Sequence, residues 1–292
     1  MSIKPVVAPS SADVFKGDIF QGKVLFCTGG GSGICKAMTE AIMRHGANAT
    51  IVGRKLDRLT EAAIGLSQAT GQTCVAARAD VRQPQQLKEA VAMTIERFGR
   101  IDFVICGAAG NFLASIDGMS ENAFRTVVEI DTLGTFNTVK ATLPYVRASR
   151  GSYIHVSSTL HYKGTPYQAH VSAAKAGVDA FSAVLALEEG PKGVRSNVIA
   201  PGAIADTEGM SRLSNQMSRS INSPLPYPLG RAGEVQDVAS AAVFLFSHAA
   251  SYITGQVLAV DGGYEHVRAS QLPYPEAVLD PESIKQMVRG KL

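Results

Sequence analysis

Thr28-Gly29-Gly30-Gly31-Ser32-Gly33-Ile34 follows the apolar run Val24-Leu25-Phe26-Cys27 and precedes a helical pattern over residues 37–45. A strand that feeds a glycine-rich turn and then a helix N-terminus makes a phosphate cradle. The glycines let the backbone turn sharply and approach a pyrophosphate, and the first-turn N–H groups and the helix dipole attract the anion. Gly29, Gly30, Gly31, Ser32, Gly33 and Ile34 are therefore expected to hold a dinucleotide.

Outward from this stretch the chain alternates strand and helix. The pattern predicts strands at 24–27, 49–52, 74–78, 103–106, 152–156, 195–199 and 257–260. It predicts helices at 37–45, 55–67, 85–98, 124–148, 171–189 and 234–246, with Gly99 as a stop and Pro144 as a kink or end. Short β-rich runs alternating with helices call for an α/β fold: a Rossmann-type, doubly wound parallel sheet with helices on both faces. No composition break marks a second domain. Residues 1–18 and 265–292 read as extensions of one dinucleotide-binding domain over 19–264.

Composition narrows the function. With 292 residues and 46% hydrophobic content the chain can bury a large core, and a net charge of +3 without a Lys/Arg block argues against nucleic acid. No apolar run approaches the length of a membrane span, and residues 1–16 lack the apolar stretch of a secretory signal. Cys27, Cys35, Cys74 and Cys106 show no paired metal spacing and read as reduced thiols, so no metal site is expected.

The second strand ends in Val52-Gly53-Arg54-Lys55. An acidic residue there would bind the ribose 2′-hydroxyl of NAD, whereas cations suit the 2′-phosphate of NADP. Arg54 and Lys55 therefore point to NADPH. Asp80-Val81 is placed to meet the adenine, and Gly107-Ala108-Ala109-Gly110 supplies small residues where backbone must approach the cofactor.

Together these pieces resemble the short-chain dehydrogenase/reductase family. The matching segments are Thr28–Ile34, Asp80-Val81, Gly107–Gly110, Lys175 in Ser172-Ala173-Ala174-Lys175-Ala176-Gly177, Pro201-Gly202 and Asp261-Gly262-Gly263, in family order over about residues 20–264. The resemblance implies that Pro201, Gly202, Ile204 and Thr207 also border the cofactor, and that the protein is a homodimer or homotetramer. The departures are as informative. Val171 stands where the family's tyrosine acid is usual, with Tyr162 and Tyr167 nearby at the wrong spacing; Asp131 replaces a usual Asn, and Cys35 the last glycine of the nucleotide loop.

A carbonyl reductase must protonate an alkoxide as hydride arrives, so loss of the tyrosine argues against carbonyl chemistry. Within the family the pattern looks like the peroxisomal 2,4-dienoyl-CoA reductases. The residues that carry this are Gly107–Phe112, Asp131 in Ile130–Phe136, His170 with Lys175, and Pro201–Ile204 followed by Thr207-Glu208-Gly209. In a dienoyl thioester hydride adds at C5, charge spreads to the thioester oxygen as an extended enolate, and the proton arrives later at C2. The resemblance implies that Lys175 holds the nicotinamide ribose and that Asp131 is the acid or holds the proton-giving water. Asp261 assists or only makes its turn. Ser158 and His170 belong to the pocket, Ser157 leaving the first assignment ambiguous.

For substrate, Asn111 and Phe112 should line the pocket, and Arg54, Arg82 and Arg212 are candidates for the phosphates of CoA. The connection over 205–228 reads as a lid, with Met210, Leu213 and Met217 at helical spacing. The chain ends Gly290-Lys291-Leu292, an imperfect small–basic–Leu peroxisomal signal. Two alternatives stay open: another NADP-dependent ketone or enoyl-CoA reductase with its acid displaced to Tyr162 or Tyr167, and a dinucleotide-binding scaffold without catalysis.

Overall fold

The computed structural model describes residues 9–205, 207 and 227–267. Seven parallel strands form one sheet: β1 Val24–Thr28, β2 Asn48–Gly53, β3 Cys74–Arg78, β4 Phe103–Cys106, β5 Ser152–Val156, β6 Arg195–Pro201 and β7 Val257–Val260. Their order is β3-β2-β1-β4-β5-β6-β7. The order reverses between β1 and β4, so the crevice for a ligand opens beyond the carboxyl ends of those two strands. β1 is buried along its length, as a central strand covered on both faces requires.

Helices cover the faces: α1 Ser11–Val14, α2 Gly33–Arg44, α3 Leu56–Thr70, α4 Pro84–Phe98, α5 Glu121–Val128, α6 Gly134–Ser149, α7 Ala169–Glu189 and α8 Val235–Phe246. One layer packs Met38, Ile42, Val238, Ala242 and Val243 from α2 and α8 on Leu25, Cys27 and Ile105 of the sheet. The other packs Leu87 and Val91 of α4 with Val139 and Val146 of α6 on Phe26 and Val104. Burial of these side chains, at about 25 cal/mol per Å² of apolar surface, dominates the stability. The sequence before residue 18 is seated on the body where it is described: His45 Nδ1 lies 2.7 Å from Lys16 O and its Nε2 3.2 Å from Ser11 Oγ, and Phe20 is buried.

Two helices differ from the sequence pattern. α2 starts at Gly33 rather than 37, because the turn feeds directly into helix despite the poor helix propensity of its residues. The pattern over 124–148 is not one α-helix. A wider, π-helical turn, Glu129–Leu133, separates α5 from α6. Such insertions occur at functional sites. Pro144 neither ends nor interrupts the run of α6, which continues to Ser149.

Candidate active site

The glycine-rich turn has the geometry of a backbone cradle. Gly29 has φ +75°, and a β carbon there would lie 2.7 Å from Gly107 O; one at Gly30 would lie 2.6 Å from Ile51 Cγ2. Gly29 N–H donates to Val52 O at 2.8 Å, which ties the turn to β2. Ser32 caps α2 without a side-chain hydrogen bond, so the first-turn N–H groups have no intrahelical acceptor. The glycines let the turn pack directly on β2 and on the loop after β4, and at Gly33, φ +55°, the space a β carbon would enter is open, which leaves the first turn of α2 clear for a pyrophosphate. The site thus fits a dinucleotide.

Thr28 joins the two halves of the crevice. Its Oγ1 donates to Ile105 O at 3.3 Å and accepts from Gly107 N–H at 3.1 Å. Asn137 of α6 donates to Val81 O at 2.9 Å and holds the loop after β3. Sequence reasoning assigned neither role. For Thr28 the signal was a polar residue ending an otherwise apolar strand; Asn137 gave none.

Arg54 and Lys55 are exposed just beyond the end of β2, where the sequence placed them. Asp80 and Arg82 bind each other instead of standing ready for ligands. Arg82 Nη2 is 2.6 Å from Asp80 Oδ2, and the guanidinium holds the Asp80 carboxyl below the usual carboxylate range. Arg82, a candidate for a CoA phosphate, is thus already paired with a carboxylate in this structure. Arg54 also lowers Asp80, so the cations at this end converge on one carboxylate.

At the other end, the π-helical turn carries Asp131 inward. The residue is 1% exposed; its Oδ1 lies 2.9 Å from Lys175 Nζ and its Oδ2 accepts from Gly110 N–H at 3.2 Å. Lys175, on α7, also donates to Val156 O at 2.8 Å. A buried ion pair of this kind needs further hydrogen bonds to offset the loss of hydration, and both members have them. Thr132 Oγ1 donates to Ala174 O at 2.9 Å and locks the π-helical turn to α7. Two residues far apart in sequence are thereby brought to one point.

Val171 packs with Val127 and Ala174 in an apolar cluster and has no proton to give. Tyr162 is committed elsewhere: its hydroxyl donates to Asp179 Oδ2 at 3.0 Å. Tyr167 is 60% exposed. Asp261 borders Gly202, where a β carbon would lie 2.6 Å from Asp261 Cβ. Its oxygens accept from Gly263 N–H and Glu265 N–H at 2.9 and 2.7 Å. Both oxygens serve its own turn, which argues against the catalytic assignment.

Buried polar atoms without a hydrogen-bond partner among the described residues gather on the neighbouring segments: Asn111 Oδ1, Ser157 Oγ, Ser158 Oγ, both ring nitrogens of His170, and Ser172 Oγ. Such groups are costly unless a ligand or water satisfies them. The Phe112 ring lies 4.2 Å from that of His170, and burial lowers the imidazole's pKa, favouring the neutral ring. Pro201 ends β6, Ile204 is buried and bridged to Gly233, and Thr207 Oγ1 donates to Ile204 O at 3.0 Å. Arg212, Met210, Leu213, Met217 and the C-terminal tripeptide lie outside the described residues. No group of His, Cys, Asp and Glu among the described residues is arranged to hold a metal ion, and no described helix is long and apolar enough to cross a membrane.

Residues 29–265 match the family model described as enoyl-(acyl carrier protein) reductase. The chain is 50% identical over 267 residues to a peroxisomal 2,4-dienoyl-CoA reductase, (3E)-enoyl-CoA-producing, of Saccharomyces cerevisiae, covering 90% of this chain and 91% of that one. It is 45% identical over 251 residues to the enzyme of the same description from Rattus norvegicus, covering 86% of each. Among solved structures, 3-ketoacyl-(acyl-carrier-protein) reductase from Brucella melitensis complexed with NADH superimposes with a TM-score of 0.77 at 26% identity, covering 84% of this chain and 99% of that one.

Proposed function

The chain belongs to the short-chain dehydrogenase/reductase family, and from that premise we propose that it reduces 2,4-dienoyl-CoA to 3-enoyl-CoA with NADPH, in the β-oxidation of unsaturated fatty acids. One observation carries the reading. Where a carbonyl reductase of the family keeps its acid there is packed valine, and the polar centre is the buried Lys175–Asp131 pair.

When bound, NADPH supplies the hydride. The cradle at 29–34 and the N-terminus of α2 hold its pyrophosphate, Arg54 and Lys55 its 2′-phosphate, and Ala108 and Ala109 leave room for its ring. Lys175 Nζ donates to Val156 O and pairs with Asp131, which accounts for two of its three N–H groups. The third would be left to donate to the nicotinamide ribose hydroxyls. Ser158, Asn111 and His170 border the thioester and stabilise charge on its oxygen as the enolate develops. Asp131, fixed by Lys175 and Gly110 N–H, holds the water that gives a proton to C2. Because the proton is needed at carbon and after charge has delocalised, no tyrosine is required.

Phe112, Leu113, Ile116 and Tyr167 are exposed on two loops tied by Ala114 N–H to Tyr167 O at 3.2 Å, and this apolar rim receives the acyl chain. Exposed Leu133, Phe136, Val184 and Leu187 on and beside α6 and α7 support a homodimer or homotetramer. The relatives are named peroxisomal, which supports the same location for this chain.

The test is NADPH consumption with a 2,4-dienoyl-CoA, a 2-enoyl-CoA and a 3-ketoacyl-CoA side by side. Turnover is expected with the dienoyl thioester alone. Comparable turnover of the ketone would replace this reading with that of a reductase whose acid is displaced; no turnover of any would favour a scaffold.

A further inference from the structure

A cavity of about 360 Å³ opens at the amino ends of β4, β5 and β6, the end of the sheet opposite the dinucleotide crevice. That volume falls within the range of ligand sites, roughly 300–1,000 Å³. Phe20, Phe103 and Phe246 give the cavity an apolar wall, with the rings of Phe103 and Phe246 stacked at 4.6 Å. Lys23, Arg150, Arg195 and His248 give it a basic one. Asp102 is the only acid among the described lining residues, and its charge is already spent. It binds Lys23 Nζ at 3.2 Å, Arg100 Nη2 at 2.5 Å and Val24 N–H at 3.0 Å.

Neither arginine of the wall has a counterion among the described residues. Arg150 ends α6 with φ +51°, a left-handed position where glycine is usual. Its stem packs on Gly193, where a β carbon would lie 3.3 Å from Arg150 Cγ and Cδ. Arg195, the first residue of β6, is half-buried and gives one N–H to Ile253 O at 3.3 Å. Most of its five donors are therefore unspent. Burial pushes its pKa below the usual range, the cost of a cation that no acid balances. Ser152 starts β5 on the same wall; it is 2% exposed, and its Oγ has no hydrogen-bond partner among the described residues. Buried polar groups of this kind call for a partner.

We propose that this cavity is a second ligand site, for a small organic anion: a carboxylate or phosphate monoester head on a short apolar body. The head lies between Arg150 and Arg195, whose planar forks match an oxyanion, and gives the Ser152 hydroxyl an acceptor. The body lies against the Phe103–Phe246 stack. Neither part reaches the crevice, so the site fills independently of the dinucleotide.

The full chain is titrated by calorimetry with octanoate and with octyl phosphate, in the presence and absence of NADPH. Inorganic phosphate and 1-octanol serve as controls. At least one of the two anions should bind, equally well with and without NADPH, and at least on the order of tenfold tighter than either control. The tighter of the two names the head group. Arg150→Gly is the decisive variant, because glycine suits the left-handed position and the fold is kept while the charge is lost. It should weaken binding by at least on the order of tenfold, the loss of one charge-assisted contact. Arg195→Met, which keeps an apolar stem, should do the same. Lys88→Gln, which removes an exposed charge outside the cavity, should leave the affinity unchanged. No binding of either anion, unchanged affinity in Arg150→Gly, or equal binding of phosphate or octanol overturns the proposal. Competition with NADPH would place the anion in the crevice and overturn it as well.

Discussion

Lys175 Nζ lies 2.9 Å from Asp131 Oδ1, with side chains 7% and 0% exposed. On the proposed reading the pair couples two roles that the sequence treats separately, holding the ribose and placing a proton. Removing either partner leaves the other charge buried and unpaired, which typically costs about 3–5 kcal/mol. Asp131→Ala is therefore expected to lower stability and to impair NADPH binding as well as turnover, against the simpler expectation that only protonation suffers. Asp131→Asn, which keeps the volume and an acceptor, should retain the fold and lose most of the turnover. Denaturant midpoints, NADPH titration and rates on a dienoyl-CoA measure the three effects. Near-normal turnover in Asp131→Asn would take Asp131 out of the chemistry.

Arg54 is exposed at the end of β2, and the proposed reading gives it the cofactor preference. Arg54→Asp should weaken NADPH by about 1.5–3 kcal/mol, on the order of tenfold to a hundredfold, and affect NADH little. Binding titrations with both nucleotides decide it. Equal affinity of the wild type for NADH and NADPH would show that the 2′-phosphate is not recognised there.

Isotopic labels report the order of events. With 4-deuterated NADPH the label should appear at C5 of the product, and solvent deuterium at C2, as read by NMR. Nucleotide-derived label at C3 would mean simple enoyl reduction, in which case Val171 is compatible with a different thioester substrate.

His155 predicts how stability depends on pH. It is fully buried, stacked with Tyr153 and edge-on to Phe181, and burial pushes its pKa from 6.5 down to about 3. The native ring stays neutral where the unfolded one takes a proton. Stability therefore falls as pH drops from 6.5 toward 3, by up to about 1.4 kcal/mol per pH unit. Burial lowers the pKa of His170 too, so it contributes in the same direction. Glu189, held at about 2 by Arg147 and Lys192, adds a loss only once pH is below its usual 4.5. Urea unfolding between pH 6.5 and 4.5 should show the histidine slope, and His155→Gln should reduce it. An unchanged slope in the variant would assign the dependence to other groups.

Local chemistry decided much in advance. Apolar β-rich runs alternating with helical periods specify a doubly wound sheet because each element must bury one face, and the glycines at 29–33 specify a phosphate turn because only they permit its backbone. Val171 in place of tyrosine is a property of one position, legible without coordinates. What depended on the third dimension was pairing at a distance. A π-helical turn has no sequence period of its own, so the inward rotation of Asp131 onto Lys175 appears only when α5, α6 and α7 pack. Whether an arginine is free or spent depends on what the chain brings beside it, which is how Arg82 came to hold Asp80 while Arg54 stayed exposed. The fit of Cys35 against Gly107 is of the same kind: a thiol replaces a glycine in one segment because another segment has no side chain, and only the packed structure puts the two in contact.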